Sequence, residues 1–156
     1  MRAAGLPTLA LAALLVTGCT GGGSSIEVSG AEMPEPAMPD MGAVYLEVTN
    51  DGDGNDALVA ASTDVADTVE LHETVVEDGQ ASMHEVGEIP VPAGETVTLE
   101  RGGLHLMLLE PEPLAVGDTY DLELVFDGHD PVTVSVEVVD PSEGGHGGDE
   151  DEDDDY

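Results

Sequence analysis

The sequence has almost no cysteine and almost no basic residues. Of 156 residues one is cysteine, Cys19, and two are basic, Arg2 and Arg101, whereas 35 are Asp or Glu. A single cysteine excludes an internal disulfide and any metal site that needs thiolate ligands inside the fold. Nucleic acid is disfavoured as a partner because a phosphate backbone needs Lys and Arg to neutralise it.

The excess of acidic residues gives a formal net charge of −33 at pH 7. Repulsion between so many like charges weakens a compact fold in dilute buffer. At 1 M salt the same charges are screened within about 3 Å. We therefore interpret the composition as halophilic adaptation.

The N-terminus has the layout of a secretory signal. An apolar stretch over residues 9–16, too short to span a bilayer, is followed by Thr17, Gly18 and Cys19. This order resembles the lipobox of bacterial lipoproteins, in which the cysteine is lipidated and becomes the first mature residue. We predict a signal peptide over residues 1–18 and a lipid anchor on Cys19 that holds the protein at the outer face of the cell membrane. A plain cleavable signal is the alternative, and it too implies export.

The remaining chain divides into three parts. Residues 19–42 are rich in Gly, Ser and Pro and predict a flexible tether. Residues 43–140 carry the pattern of one folded domain. Residues 141–156 turn to Gly and then to an acidic run that cannot bury enough apolar surface to fold, which predicts a disordered acidic tail.

The middle part predicts an all-β domain. Short runs rich in β-branched residues are separated by Gly, Asp, Asn and Pro, and no window has a helical period. This spacing favours an antiparallel sandwich or barrel. The predicted strands cover residues 43–49, 57–62, 68–76, 81–86, 96–101, 104–110, 120–126 and 132–139.

Two of these strands form a hairpin that brings His72 near Met83. Asp78-Gly79 is a strong turn signal. A turn centred there places His72 opposite Glu85 and Met83 opposite Thr74. Met83 is then a diagonal neighbour of His72, close enough to share an ion.

A second pair of candidate ligands lies on one strand. Leu104, Leu106 and Leu108 alternate with His105 and Met107, so the imidazole and the thioether leave the same side. Two imidazoles and two thioethers form a borderline-to-soft ligand set that selects copper(I) over calcium, magnesium or zinc. Unlike a thiol, a thioether binds without losing a proton and cannot form a disulfide, which suits an oxidising compartment.

The spacing of the four residues points to a family. Ten residues separate His72 from Met83, twenty-one separate Met83 from His105, and one separates His105 from Met107. This pattern resembles the signature of the PCu(A)C family of periplasmic copper chaperones. Residues 69–74, 89–94 and 102–108 look similar to that family as well, and the resemblance covers about residues 43–140.

The resemblance implies a cupredoxin-like β-fold and copper(I) bound by His72, Met83, His105 and Met107. It also implies delivery of copper to the CuA centre of cytochrome c oxidase, directly or through a copper-relay assembly protein. A copper-dependent enzyme is possible in principle, but no nucleophile, general-base pair or His-rich cluster stands near the motif, so we expect no catalysis. Copper storage or resistance stays open as an alternative, and so does an acidic surface domain without metal. A blue-copper electron carrier is disfavoured because it needs a cysteine thiolate and Cys19 lies in the lipobox.

Other candidate ligands are interpreted as structural or solvated. His84 follows Met83 and faces the other way, His129 lies in a turn, and His146 lies in the acidic tail. Residues 51–56 begin like a calcium loop but lack the glycine at loop position six, so they predict a strand connector. Three methionines are assigned to the Pro-rich spacer in preference to an extra soft-metal patch: Met33, Met38 and Met41.

Overall fold

The computed structural model describes residues 23–142, and every helix or strand in this range is a β-strand. The strands are β1 (Ile26–Pro34), β2 (Met41–Asn50), β3 (Asp56–Ser62), β4 (Ala66–Glu77), β5 (Gln80–Glu85), β6 (Ile89–Val91), β7 (Thr96–Leu99), β8 (Leu104–Pro111), β9 (Thr119–Phe126) and β10 (Val132–Val139). The predicted all-β class is confirmed. Each of the predicted strands matches an observed one to within two residues at either end, and β1 and β6 are additional. Between residues 23 and 142 no helix is long and apolar enough to cross a bilayer.

Seven strands close into a barrel in the order β4–β8–β2–β1–β10–β9–β3, with Ala61 of β3 opposite Val69 of β4 completing the ring. All neighbours in the ring are antiparallel except β1 and β10, which run parallel. Three short strands extend the wall: β5 pairs with β4, β6 with β3 and β7 with β2. Closure removes the free edges of the ring and leaves β5, β6 and β7 as edge strands.

The interior of the barrel is filled by alternate residues of each strand. In β2, Val44, Leu46 and Val48 are buried, and each such side chain stabilises the fold by about 1.5–3 kcal/mol. Strand β8 differs, because its four consecutive residues 105–108 are all buried. Its outer surface is therefore covered as well as its inner one.

The structure corrects the predicted N-terminal tether. Residues 26–34 are not flexible spacer but strand β1, which lies between β2 and β10 in the ring. Met33 is fully buried, and its sulfur accepts a hydrogen bond of 3.4 Å from the Tyr120 hydroxyl. The register with β2 shifts between Ser29 and Glu32, next to Gly30 at φ 62°. This irregularity breaks the two-residue period, which is why the sequence did not reveal the strand.

The fold begins before β1. The Ser24 hydroxyl donates to the buried Asp56 carboxylate, and the Ser25 backbone N–H donates to Asn50 Oδ1 at 3.1 Å. Of the predicted tether, residues 24–42 are thus held by the barrel. The predicted signal peptide, Cys19 and His146 lie outside the described residues.

Candidate metal centre

The four predicted donors lie on the outer face of one part of the barrel wall, formed by β5, β4 and β8. His72 of β4 is directly opposite His105 of β8, and Glu70 is directly opposite Met107. The residues between them point inward, since Leu71 and Leu106 belong to the core. The outer face therefore presents both histidines and Met107 together.

Met83 reaches this face from the edge strand. The hairpin has the predicted register, with His72 opposite Glu85 and Thr74 opposite Met83. The turn at Asp78 and Gly79 has φ values of 52° and 77°, as the tight I′ hairpin turn requires. Met83 is 58% exposed, whereas Met107 is 7% exposed.

His72 is central to the arrangement. His105 is its direct partner across β4–β8, Met107 is a diagonal neighbour on β8, and Met83 is a diagonal neighbour on β5. Diagonal neighbours on antiparallel strands are about 7–8 Å apart, within reach of long side chains. Three of the four residues are thus brought together at a covered surface, and Met83 lies at its solvent-exposed border.

The two imidazole rings are neighbours, and each has one nitrogen without a hydrogen-bond partner. Their centroids are 5.7 Å apart and their planes are inclined by 47°. Nδ1 of His72 and Nε2 of His105 are both buried without a hydrogen-bond partner. Leaving a buried polar atom unpaired costs about 1–3 kcal/mol, so each such atom calls for an explanation.

The hydrogen bonds of the other two nitrogens explain which atoms are free. Nδ1 of His105 lies 3.1 Å from the Gly103 carbonyl oxygen, and Nε2 of His72 lies 2.7 Å from a Glu70 carboxylate oxygen. Both oxygens accept, so in the neutral rings these nitrogens carry the protons. The lone pairs of the opposite nitrogens, Nδ1 of His72 and Nε2 of His105, are then available for a metal ion.

The short loop between β7 and β8 positions the acceptor for His105. Glu100 N–H donates to the Leu104 carbonyl at 2.9 Å, which folds residues 101–103 outward. The Gly103 carbonyl then accepts from the Thr74 N–H at 3.0 Å as well as from His105. One backbone oxygen thus links the loop, strand β4 and the imidazole.

Burial also favours the form of His105 that can bind a metal. Its side chain is covered on one side by Tyr45, whose ring centroid lies 6.4 Å away. Burial lowers the pKa of His105 below its ordinary value, and the neighbouring His72 adds to this, while the hydrogen bond to Gly103 opposes it. The neutral form of His105, which is the form that binds a metal, is thereby favoured.

The other candidate residues lie elsewhere. His84 is opposite Glu73 and hydrogen bonds with Ser82, and His129 hydrogen bonds with the Asp130 carbonyl, so the bonds found for these two rings go to residues other than the four donors. Residues 51–55 connect β2 to β3, as predicted. Within residues 23–142 no group of three or more His, Cys, Asp and Glu side chains could hold a metal, which is consistent with a site that depends on thioethers.

One residue of this region, Glu70, was not predicted from the sequence. Glu70 precedes His72 by two positions and so shares its face of β4. The two-residue spacing was the available signal, but the hydrogen bond itself depends on side-chain orientation that the pattern does not contain.

Comparison with known proteins places these features in a family. Residues 26–138 match the family model LpqE-like, described as "Putative lipoprotein LpqE-like". The chain is 35% identical over 102 residues to "Putative lipoprotein Lxx21020" of Leifsonia xyli subsp. xyli, an alignment that covers 64% of this chain. The chain spans 61% of that relative's length.

Solved structures share the fold. The copper-bound PCuAC domain from PmoF2 superimposes with a TM-score of 0.63 at 23% identity, covering 74% of this chain and 93% of that domain. The copper(I) form of DR1885 from Deinococcus radiodurans superimposes with a TM-score of 0.59 at 30% identity, covering 78% of this chain and 83% of that protein. The chain therefore belongs to the LpqE-like family, and its β-barrel has the fold of PCuAC domains, as the spacing of its histidines and methionines indicated.

Proposed function

We propose that this protein is an extracytoplasmic, non-enzymatic copper(I) chaperone that carries one ion between His72, Met83, His105 and Met107. The observation that carries the proposal is the pair of buried imidazole nitrogens, Nδ1 of His72 and Nε2 of His105, which lack hydrogen-bond partners on two rings whose centroids are 5.7 Å apart. A bound ion would satisfy both atoms at once.

The remaining donors define the kind of ion. Met107 adds a thioether from the same strand as His105, and Met83 adds one from β5. Neutral nitrogen and sulfur ligands without a required carboxylate favour copper(I) over hard cations. In support, DR1885, 30% identical to this chain, is known in a copper(I) form.

The difference in exposure between the two methionines suggests how the ion is passed on. His105 and Met107 are buried, whereas Met83 is largely exposed on an edge strand. An acceptor's ligand can therefore replace Met83 first while the three inner donors still hold the ion. Carrying an ion on few, exchangeable ligands near the surface suits transfer more than permanent retention.

For the acceptor and the location, the proposal follows the family resemblance. The acceptor is the CuA centre of cytochrome c oxidase or a copper-relay assembly protein. Cys19, once lipidated, would hold the barrel at the outer face of the membrane. The lipoprotein description of the family and of the relative from Leifsonia xyli supports this location.

The test is thermal unfolding in high salt under reducing conditions, with and without one equivalent of copper(I). A ligand that binds only the folded state stabilises it by about 2.7 kcal/mol when its free concentration is 100 times Kd. We expect a clear rise in Tm that disappears in the Met83→Leu, Met107→Leu double variant. His84→Gln is the matched control, since His84 adjoins Met83 but lies on the other face of β5, where it hydrogen bonds with Ser82. An unchanged Tm in the parent protein would refute copper binding.

A further inference from the structure

Two methionines outside the four-donor site lie at the surface near β8: Met38 lies just before β2, and Met41 begins β2, which pairs with β8. They are 55% and 37% exposed, and they belong to the few large apolar side chains that the described part of the barrel leaves in contact with water. Met33, the third methionine of this segment, is in contrast fully buried in the core. The pair is therefore not explained by packing.

A tight turn holds the two exposed methionines together. Met38 and Met41 form an isolated antiparallel bridge around Pro39 and Asp40. They occupy the first and fourth positions of the turn, so their Cα atoms lie within about 7 Å of each other, and Pro39 fixes φ at the second position. The Asp40 carbonyl accepts from the Glu110 N–H at 2.9 Å, which fastens the turn to β8.

The register of β2 and β8 connects this pair to the metal centre. Met41 is opposite Leu109, and Ala43 is opposite Met107, so Met41 is a diagonal neighbour of Met107. Both side chains point outward, because Gly42 and Leu108 between them face the core. Diagonal neighbours are about 7–8 Å apart, and methionine has three rotatable bonds with which to cover that distance.

We propose that Met38 and Met41 form an accessory copper(I) site through which the ion reaches the four-donor centre. The route runs over one face of the barrel, from the exposed pair to Met107 and from there to His105 and His72. Two thioethers bind copper(I) more weakly than two thioethers with two imidazoles, so the ion moves toward the buried end. This inference rests on the proposed function and adds a loading path to it.

The surroundings favour capture of a cation at the pair. The protein carries a formal charge of −33, and Asp40 lies within the turn itself. A negative surface concentrates cations and accelerates their association. The thioethers then select copper(I) over the hard cations that the acidic surface also attracts.

The experiment uses the full chain with Cys19→Ser, which removes the competing thiol, and with carbon-13 labels on the methionine methyl groups. Copper(I) is added anaerobically under reducing conditions and followed by NMR. The first equivalent is expected to shift the Met83 and Met107 methyl signals. Further copper(I) is expected to shift those of Met38 and Met41, in faster exchange because the site is weaker.

The kinetic arm compares the parent with the Met38→Leu, Met41→Leu double variant, which keeps apolar volume and removes sulfur. We expect the variant to retain the Met83 and Met107 shifts but to take copper(I) from a chelator severalfold more slowly. Val116→Leu, another exposed apolar position, is the control and should load at the parental rate.

The outcomes separate the inference from the function on which it rests. If Met83 and Met107 respond while Met38 and Met41 stay unshifted at excess copper(I), the accessory site is refuted and the four-donor centre stands. Loading of the double variant at the parental rate refutes the route equally. If Met83 and Met107 do not respond, the proposed function fails and the inference fails with it.

Discussion

At the scale of single residues, the proposed ligand atoms are selected by hydrogen bonds made on the far side of each ring. His105 donates to a backbone carbonyl, which substitution cannot easily remove. His72 instead depends on one side chain, Glu70, at 2.7 Å. Glu70 is therefore a positioning residue for His72, and its effect on metal binding can be tested separately from the ligands themselves.

Replacing Glu70 should weaken copper(I) binding without unfolding the protein. Loss of a hydrogen-bond partner of a metal-binding histidine typically costs about 10–100-fold in affinity. We expect Glu70→Ala to show a loss of this size in a chelator competition titration. The nitrogen NMR signals of His72 should at the same time show a mixture of ring tautomers in place of one.

Two further variants decide whether Glu70 acts through the ring. Glu70→Gln keeps an oxygen that can accept from Nε2 and should restore most of the affinity and the single tautomer. Glu73→Ala removes the same charge from the same strand at a position opposite His84. If Glu73→Ala weakens binding as much as Glu70→Ala, the effect is general charge and the positioning role is refuted.

At the scale of elements, the hairpin of β4 and β5 is the part of the site that is least supported by the barrel. All six residues of β5 are exposed, and the strand pairs with β4 alone. Such edge elements open locally at much lower free energy than a central strand does. We therefore expect the strand that carries the thioether of Met83 to open more readily than the other two strands that bear proposed ligands.

Copper(I) should slow hydrogen exchange in β5. In the metal-free protein we expect the amides of residues 80–85 to exchange faster than those of β8. Binding of Met83 to an ion held by His105 and Met107 would tie the hairpin down and protect these amides. Met83→Leu should remove the added protection, and His84→Gln should keep it. Unchanged exchange in β5 at full copper(I) occupancy would contradict a role for Met83 as a ligand.

Strand β1 should prove indispensable for folding. A chain beginning at Ala43 lacks β1 and the first residues of β2, so the ring is open between β2 and β10. We expect it to show no cooperative unfolding in denaturant, whereas a chain beginning at Gly23 unfolds cooperatively. Met33→Ala in the longer chain should cost about 2–5 kcal/mol, as truncation of a buried methionine does. Cooperative unfolding of the chain from Ala43 would restore the tether interpretation.

The elements also show what a sequence can reveal and why. Strands such as β2 and β9 alternate strictly, so their positions were predictable. Strand β1 is interrupted by an irregular register, and β6 has three residues with Pro90 at its centre, so neither carries a readable period. The closed ring depends on long-range pairings such as β1 with β10, which local patterns do not encode.

The candidate site was predictable to a similar degree. The hairpin turn alone sets the register that places Met83 diagonal to His72, and alternation alone puts His105 beside Met107. That His72 faces His105 requires the pairing of β4 with β8, which only the fold supplies. The proximity of Met41 to Met107 likewise requires the pairing of β2 with β8, which only the fold supplies.

At the scale of the whole molecule, negative charge is almost uncompensated. Within residues 23–142, the ion-pair geometry found is that between His72 and Glu70, and Arg101 donates to the Pro141 carbonyl at 3.2 Å. Some acidic residues even face each other, since Glu32 of β1 is directly opposite Glu137 of β10. Like charges in such positions destabilise a sheet.

Salt should therefore stabilise the protein strongly and in a characteristic way. The distance over which charges interact falls from about 10 Å at 0.1 M salt to about 3 Å at 1 M. We expect Tm to rise steeply over this range and to flatten above it.

Glu137→Gln removes the repulsion with Glu32 and should raise stability by up to about 1 kcal/mol at low salt, with little effect at high salt. Ser135→Ala, on the same face of β10 but without charge, is the control. An effect of Glu137→Gln that is equal at both salt concentrations would show that salt does not act by screening charge repulsion. A Tm that is independent of salt would contradict the halophilic interpretation.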